Sequence, residues 1–144
     1  MKTKYRKYQK GTKYPLKKKS KSAKPFSGVT TKSECSFGSF GLKSLEAVRL
    51  SAQALEAGRR AMTRFLKRQG RIWVRPCPDL PVTTKPLVRM GKGKGSVDFW
   101  VARIKVGDLI YEIEGVTKNK AEEAFALASR KLPMSCSYIY TKSD

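Results

Sequence analysis

Residues 51–75 read SAQALEAGRRAMTRFLKRQGRIWVR, and their pattern decides the fold. At 100° per residue, Leu55, Gly58, Met62, Phe65 and Leu66 share one face of a helical cylinder. Arg59, Arg60, Arg64, Lys67 and Arg68 fall on the other half, and Glu56 is the only carboxylate on the helix. Ser51 can cap the N-terminus between Leu50 and Leu55, which form a hydrophobic staple, and Gly70 stands where a left-handed C-cap belongs. A helix is therefore expected over residues 51–69. Past Gly70 the period becomes two. Ile72 and Val74 point one way and Arg71, Trp73 and Arg75 the other, as in a strand with one buried face.

Downstream, Pro76, Pro78, Pro81 and Pro86 lack backbone N–H groups and predict no regular structure until about residue 96. This long loop, residues 76–96, contains Arg89, Met90, Gly91, Lys92, Gly93, Lys94 and Gly95. Glycines alternating with cations suit a backbone that comes close to an anionic surface. Residues 97–106 and 109–114 then read as strands, joined as a hairpin across Gly107-Asp108. Asn119 and Glu122 can cap a second helix, with Ala121, Ala124, Phe125, Ala128 and Leu132 on its inner face. Pro133 ends that helix, and residues 134–141 return as a strand. The fold class expected is α+β: a mainly antiparallel sheet, two packed helices, a long projecting Gly/Lys loop and a basic N-terminal extension.

Upstream, residues 36–41 repeat Ser-Phe-Gly. The glycines interrupt regular structure, and Phe37 and Phe40 are read as core anchors, with stacking on bases as the alternative. Residues 1–33 form a separate extension of Lys, Ser, Thr, Gly and Pro. Their apolar content is too low to offset ordering entropy, so the arm is expected to be disordered when free. Lys4, Arg6, Lys7, Lys10, Lys13, Lys17, Lys18 and Lys19 are its expected phosphate contacts. The remainder, residues 34–144, is one globular domain.

Charge narrows the function. The 144 residues carry a formal net charge of +21. Residues 1–33 carry +12 with no acid, residues 34–95 carry +9, and residues 96–144 are neutral. A gradient of this kind suits a protein held by one side against a polyanion. Membrane surfaces are a poor match, because the arm has no wide apolar face and no stretch approaches a spanning length. No secretory signal is visible. Cys35, Cys77 and Cys136 form no metal-type pair and the chain has no histidine, so neither a zinc site nor an imidazole base is expected.

Nucleotide chemistry fails on local order. Gly93-Lys94 is followed by Gly95 and then a strand, whereas a phosphate-binding loop needs Ser or Thr and a helix. Glu112 and Glu114 share a strand face without a partner nucleophile. No catalytic residue, cofactor or small-molecule substrate is expected.

Four stretches in order, residues 36–43 (SFGSFGLK), 59–63 (RRAMT), 67–75 (KRQGRIWVR) and 89–95 (RMGKGKG), resemble large-subunit ribosomal protein sixteen of bacteria and organelles. Residues 4–11 (KYRKYQKG) are similar to that family's basic opening. The resemblance implies a structural constituent of the large ribosomal subunit, bound to large-subunit rRNA beside neighbouring ribosomal proteins. It implies that Arg59, Arg60, Arg64, Lys67, Arg71 and Arg75 lie on the rRNA side, with Arg68 in the same stripe. It also implies that the loop carrying Arg89, Met90, Lys92 and Lys94 reaches toward A-site tRNA and the peptidyl-transferase centre. The alternative is a free-standing nucleic-acid chaperone using the same surface.

The chain departs from the family pattern in three places. Residues 12–33 are longer and richer in lysine, residues 44–49 lack the usual glycine and extra cations, and the approach over residues 85–89 is one residue shorter. The last change would draw the tip back by ~3 Å. Such drift, without a presequence, suits an organelle-encoded protein of the mitochondrial matrix, with bacterial cytoplasm and plastid as open alternatives.

Overall fold

A computed structural model describes residues 6–7, 34–85, 87, 90–91 and 93–141. In chain order the elements are β1 (Phe40–Ser44), β2 (Val48–Ser51), α1 (Ala52–Phe65), β3 (Arg71–Val74), β4 (Leu80–Thr84), β5 (Ser96–Ile104), β6 (Leu109–Glu114), α2 (Lys118–Ser129) and β7 (Cys136–Tyr140). The strands form two sheets, one ordered β3-β6-β1-β7 and the other β2-β5-β4. Every pairing is antiparallel. The α+β class and the two packed helices are as the sequence predicts.

The first helix starts where expected. Ser51 holds an extended conformation and its hydroxyl accepts the Ala54 N–H at 3.2 Å, while Leu50 and Leu55 are both buried beneath it. Its end differs. The helix stops at Phe65, and Lys67 (φ +48°) and Arg68 (φ +65°) take left-handed conformations. Arg68 N–H donates to Thr63 O and Lys67 N–H to Arg64 O, the bond pair of a Schellman cap with lysine where glycine usually stands. Gly70 also has positive φ (+72°), but its role lies elsewhere: a Cβ there would strike Glu114 O at the end of β6.

The core lies between the helices and one face of the four-stranded sheet, and Leu50, Ala102 and Ile104 of the three-stranded sheet join it. Leu42, Ile110, Tyr111 and Ile113 face Leu55, Met62 and Leu66 of the α1 region and Ala121, Ala124, Phe125 and Ala128 of α2. A bulge shifts the β1–β6 register between Leu42 and Lys43, so that Lys43 pairs with Leu109 while Leu42 pairs with Tyr111. Leu109 consequently lies against Gly41 on the opposite face. Tyr111 is fully buried, and its hydroxyl donates to Leu55 O at 2.7 Å. Burial pushes its pKa well above the ordinary tyrosine value, so it stays a neutral donor. Gly58 leaves the room for that hydroxyl.

Three expectations are corrected. The strands around Gly107-Asp108 do not pair as a hairpin: β5 joins β2 and β4, whereas β6 joins β1 and β3. The turn is real, with Gly107 at φ +92° and Asp108 Oδ2 accepting Lys105 N–H at 2.7 Å. However, the end of β1 occupies its open side, where Ser44 N–H donates to Asp108 O and Gly107 N–H to Ser44 O. Residues 45–47 and 105–108 thus each step from one sheet to the other.

Second, residues 76–96 are not irregular throughout, because β4 pairs with β5 over residues 80–84. Pro81 is tolerated there because β4 is an edge strand, where a missing N–H can face outward. The loop proper shrinks to residues 85–95. Third, Asn119 does not cap α2. The helix begins at Lys118 after Thr117, whose carbonyl accepts the first helical bond from Ala121 N–H. The expectation of disorder over residues 1–33 falls outside the described residues except at Arg6 and Lys7.

Gly58→Ala should lower stability by about 1–3 kcal/mol through overpacking against Tyr111, despite alanine's helix-propensity advantage of ~1 kcal/mol. Tyr111→Phe alone should cost about 1 kcal/mol. Urea unfolding of the double variant should give less than the two losses added together, since removing the hydroxyl relieves the clash. Strict additivity would show that the hydroxyl is not the obstacle.

Candidate nucleic-acid interface

The candidate interface is built on α1 and on β3, the strand that follows it. Glu56 sits one turn ahead of Arg59 and Arg60 and bonds both: Arg59 donates to Oε2 at 2.8 Å and Oε1 at 2.7 Å, and Arg60 donates to Oε1 at 2.9 Å. These bonds, Arg59's first, hold the Glu56 carboxyl at about 2, down from the usual 4.5. With the folded value depressed, the pairing is complete above the usual carboxylate range and is lost only as pH falls through about 2. The sequence-predicted stripe of five open cations is therefore two paired and three unpaired. Arg64, Lys67 and Arg68 are exposed and form no ion pair among the described residues.

A depression of about 400 Å³ is lined by Arg59, Arg60, Thr63, Arg64, Lys67 and Arg68. Five of these six residues are cationic, which suits a phosphate rather than an apolar ligand. A larger groove of about 1030 Å³ runs beside it, floored by Ala57, Ala61, Phe65 and Leu127 and rimmed by Arg60, Arg64, Arg130 and Lys131. Sequence reasoning missed Arg130 and Lys131. The signal was their place just after Ala128, the last buried residue of α2.

Arg71 is exposed at the start of β3, as expected. Arg75 is not an open cation. Its Nη1 donates to Oε1 of Glu112, and its side chain is only 18% exposed. Glu112 is completely buried, and the backbone N–H groups of Ser36, Phe37 and Gly38 donate to its Oε2 at 3.1, 2.7 and 2.9 Å. This pair is structural. The available signal was a carboxylate within the otherwise apolar run 109–113. Phe40 packs against the core as expected. Phe37 is 57% exposed, contrary to expectation, and stacks on Trp73 at a centroid distance of 6.1 Å.

At the tip, Met90 is fully exposed, and Gly91 (φ +99°) and Gly93 (φ +78°) have nothing among the described residues within 4 Å of a Cβ position. Those positive φ values, rather than crowding, require glycine there. Gly95 is different, since a Cβ would strike Thr84 O as the chain enters β5. Lys7 Nζ donates to Lys94 O at 3.0 Å, joining the basic arm to the tip, and Arg6 beside it is exposed. Arg89, Lys92, Lys4, Lys10, Lys13, Lys17, Lys18 and Lys19 lie outside the described residues. Arg49, not anticipated, has a buried Nε without a hydrogen-bond partner among the described residues.

The family model described as Ribosomal protein L16p/L10e matches residues 2–139. The chain belongs to this family. Similar curated proteins include the large ribosomal subunit protein uL16 of three strains of Vibrio cholerae serotype O1. Each is 54% identical over 113 residues, covering 78% of this chain and 83% of the relative. In this L16p/L10e chain, the cations of the α1 stripe that make no ion pair among the described residues lie at the C-terminal end of the helix, and Arg71 follows them at the start of β3.

Glu56→Gln should release Arg59 and Arg60. Binding to large-subunit rRNA fragments should tighten at low salt, and the slope of log K against log salt should steepen by about 0.9 per phosphate gained. Filter binding across a salt series reads both. An unchanged slope would place these two arginines away from the RNA. With no histidine in the chain, affinity should also be flat between about pH 5 and pH 8.

Proposed function

We propose that this protein is a structural constituent of the large ribosomal subunit, binding large-subunit rRNA with α1 and β3 and reaching A-site tRNA with the tip at residues 85–95. The observation that carries the reading is the unpaired cationic cluster Arg64, Lys67 and Arg68, continued by Arg71, in a chain of the L16p/L10e family. Lys67 and Arg68 are held in left-handed backbone conformations that cost about 1–2 kcal/mol each for residues with a Cβ. The Schellman cap keeps them there, turning the chain so that cations at the helix end and strand start share one region.

The mechanism is electrostatic and positional. Phosphates displace counterions from the protein and the RNA, so binding is strong at low salt and weakens as salt rises. The arm, residues 1–33, adds further phosphate contacts, and Lys7 supports the tip from below. The tip approaches tRNA by backbone contact at Gly91 and Gly93 and by charge at Arg89, Lys92 and Lys94. Bond formation remains the chemistry of the RNA, with the protein holding substrate and charge in place. Domain boundaries at 1–33 and 34–144 fit this division between a wrapping arm and a docked body. The lysine-rich drift over residues 12–33 supports the mitochondrial matrix as its compartment.

In sucrose gradients of source cells or organelles, the protein should travel with large subunits through moderate salt. Recovery only in free fractions would favour a free-standing nucleic-acid chaperone. Arg89→Ala should slow tRNA-dependent steps while leaving subunits assembled. Arg60→Glu with Arg64→Glu should impair incorporation itself, and an identical assembly defect from both would contradict the division of labour.

A further inference from the structure

The helix-free face of the four-stranded sheet carries an aromatic surface that the phosphate contacts do not use. Across β3 and β6, Arg71 pairs with Glu114 and Trp73 with Glu112, which places these four side chains on one face. Phe37 lies over that face. Its backbone N–H is fixed by Glu112 at 2.7 Å, and its ring is stacked on Trp73 with an interplanar angle of 21°. The Arg75 guanidinium lies 5.0 Å from the ring centroid. More than half of Phe37 nevertheless remains exposed. A large apolar ring in a segment anchored by three hydrogen bonds, yet open to solvent, is not explained by core packing.

From these contacts we infer that Phe37 and Trp73 form a stacking platform for an unpaired nucleobase of the same rRNA that contacts α1. The platform rests on the rRNA reading above and adds to it a site for a base rather than a phosphate. Three observations select a nucleotide over an apolar protein segment. Exposed cations follow one another from the end of α1 into β3, with no acid between them in sequence: Lys67, Arg68, then Arg71. Arg71 makes no ion pair among the described residues, although Glu114 lies across from it, so it can take the phosphate of the stacked nucleotide. The surface is also already rigid, because the buried Glu112 fixes both Arg75 and the Phe37 backbone, and a base that lands on it orders nothing further. The tip at residues 85–95 belongs to another part of the fold, between β4 and β5, which assigns the base to rRNA rather than tRNA.

The test uses the full chain with Trp100→Phe, leaving Trp73 as the remaining indole. The probes are a single-stranded ribo-oligonucleotide of about 12 nucleotides and its abasic counterpart. The base-bearing strand should quench Trp73 emission and the abasic strand should not. Phe37→Leu, which keeps an apolar cover over Arg75 but removes the ring, should weaken the base-bearing strand about tenfold and leave the abasic strand unchanged. Phe37→Tyr should restore binding. Equal affinity of Phe37→Leu and the parent, or equal losses with both strands, overturns the platform. Arg60→Glu with Arg64→Glu separates the two readings: loss of both strands with this variant but none with Phe37→Leu keeps rRNA binding and removes the stack. In assembled subunits, a photo-crosslinking residue at position 37 should capture rRNA, and capture of tRNA or of a protein instead also overturns the assignment.

Discussion

A single carboxylate fixes the arrangement of the helix-free side of this protein. Glu112 lies on β6, at the centre of the four-stranded sheet, with no exposed surface. A charge in that position is tolerated only when its lone pairs are filled. One oxygen takes three consecutive backbone N–H groups and the other takes a guanidinium. These partners come from either side of α1 in sequence, so satisfying one side chain forces residues 36–38 and the end of β3 onto the same patch. The pair is expensive in isolation, and hydrophobic replacements can match such pairs in stability. What it supplies is position: residues 36–38 lie outside any strand, and these bonds, with the Phe37–Trp73 stack, hold them against the sheet.

The opposite face follows a different rule. There Tyr111, Gly58 and the alanines of α2 allow close approach, and the sheet is covered by ordinary apolar packing. The two faces divide the work, with the apolar side giving cohesion and the polar side giving orientation. Charge is divided as well. Glu56 ties Arg59 and Arg60 along the helix, so that the open cations lie further along, at Arg64, Lys67 and Arg68. A stripe that looks uniform in sequence is graded in space.

Much of this was legible from residue order. Periodicity located α1, β3 and the buried face of α2, because those signals depend only on neighbours three or two positions away. The pairing partner of β5 was not legible. A tight turn between two strands usually makes a hairpin, and only the arrival of Ser44, from far upstream in the chain, shows why this one does not. β1 was missed because Gly38 and Gly41 read as breakers, whereas Gly41 is a strand residue whose missing side chain admits Cys35 and Leu109. β2 was missed because Leu50 and Ser51 read only as the staple and cap of α1, although they also end a strand. β4 was missed because proline vetoes a strand interior but not an edge, and edge position is a property of the whole sheet. At the interface, residue types were readable and their availability was not. Arg75 and Arg64 are both arginines of the conspicuous basic stretch, yet only the fold reveals that one is occupied by Glu112.

Pro81 has a further consequence for the time before RNA arrives. β4 is an outer strand, and outer strands offer unpaired N–H and C=O groups on which a second chain can grow a sheet. A proline at the second position of that strand removes one donor and leaves a gap in any intermolecular ladder. The high positive charge adds repulsion between copies. A newly made molecule thus carries two barriers to self-association: the repulsion, which salt screens, and the missing donor, which is built into the backbone and independent of ionic strength. Replacing Pro81 restores that donor and shortens the interval during which the free protein stays monomeric.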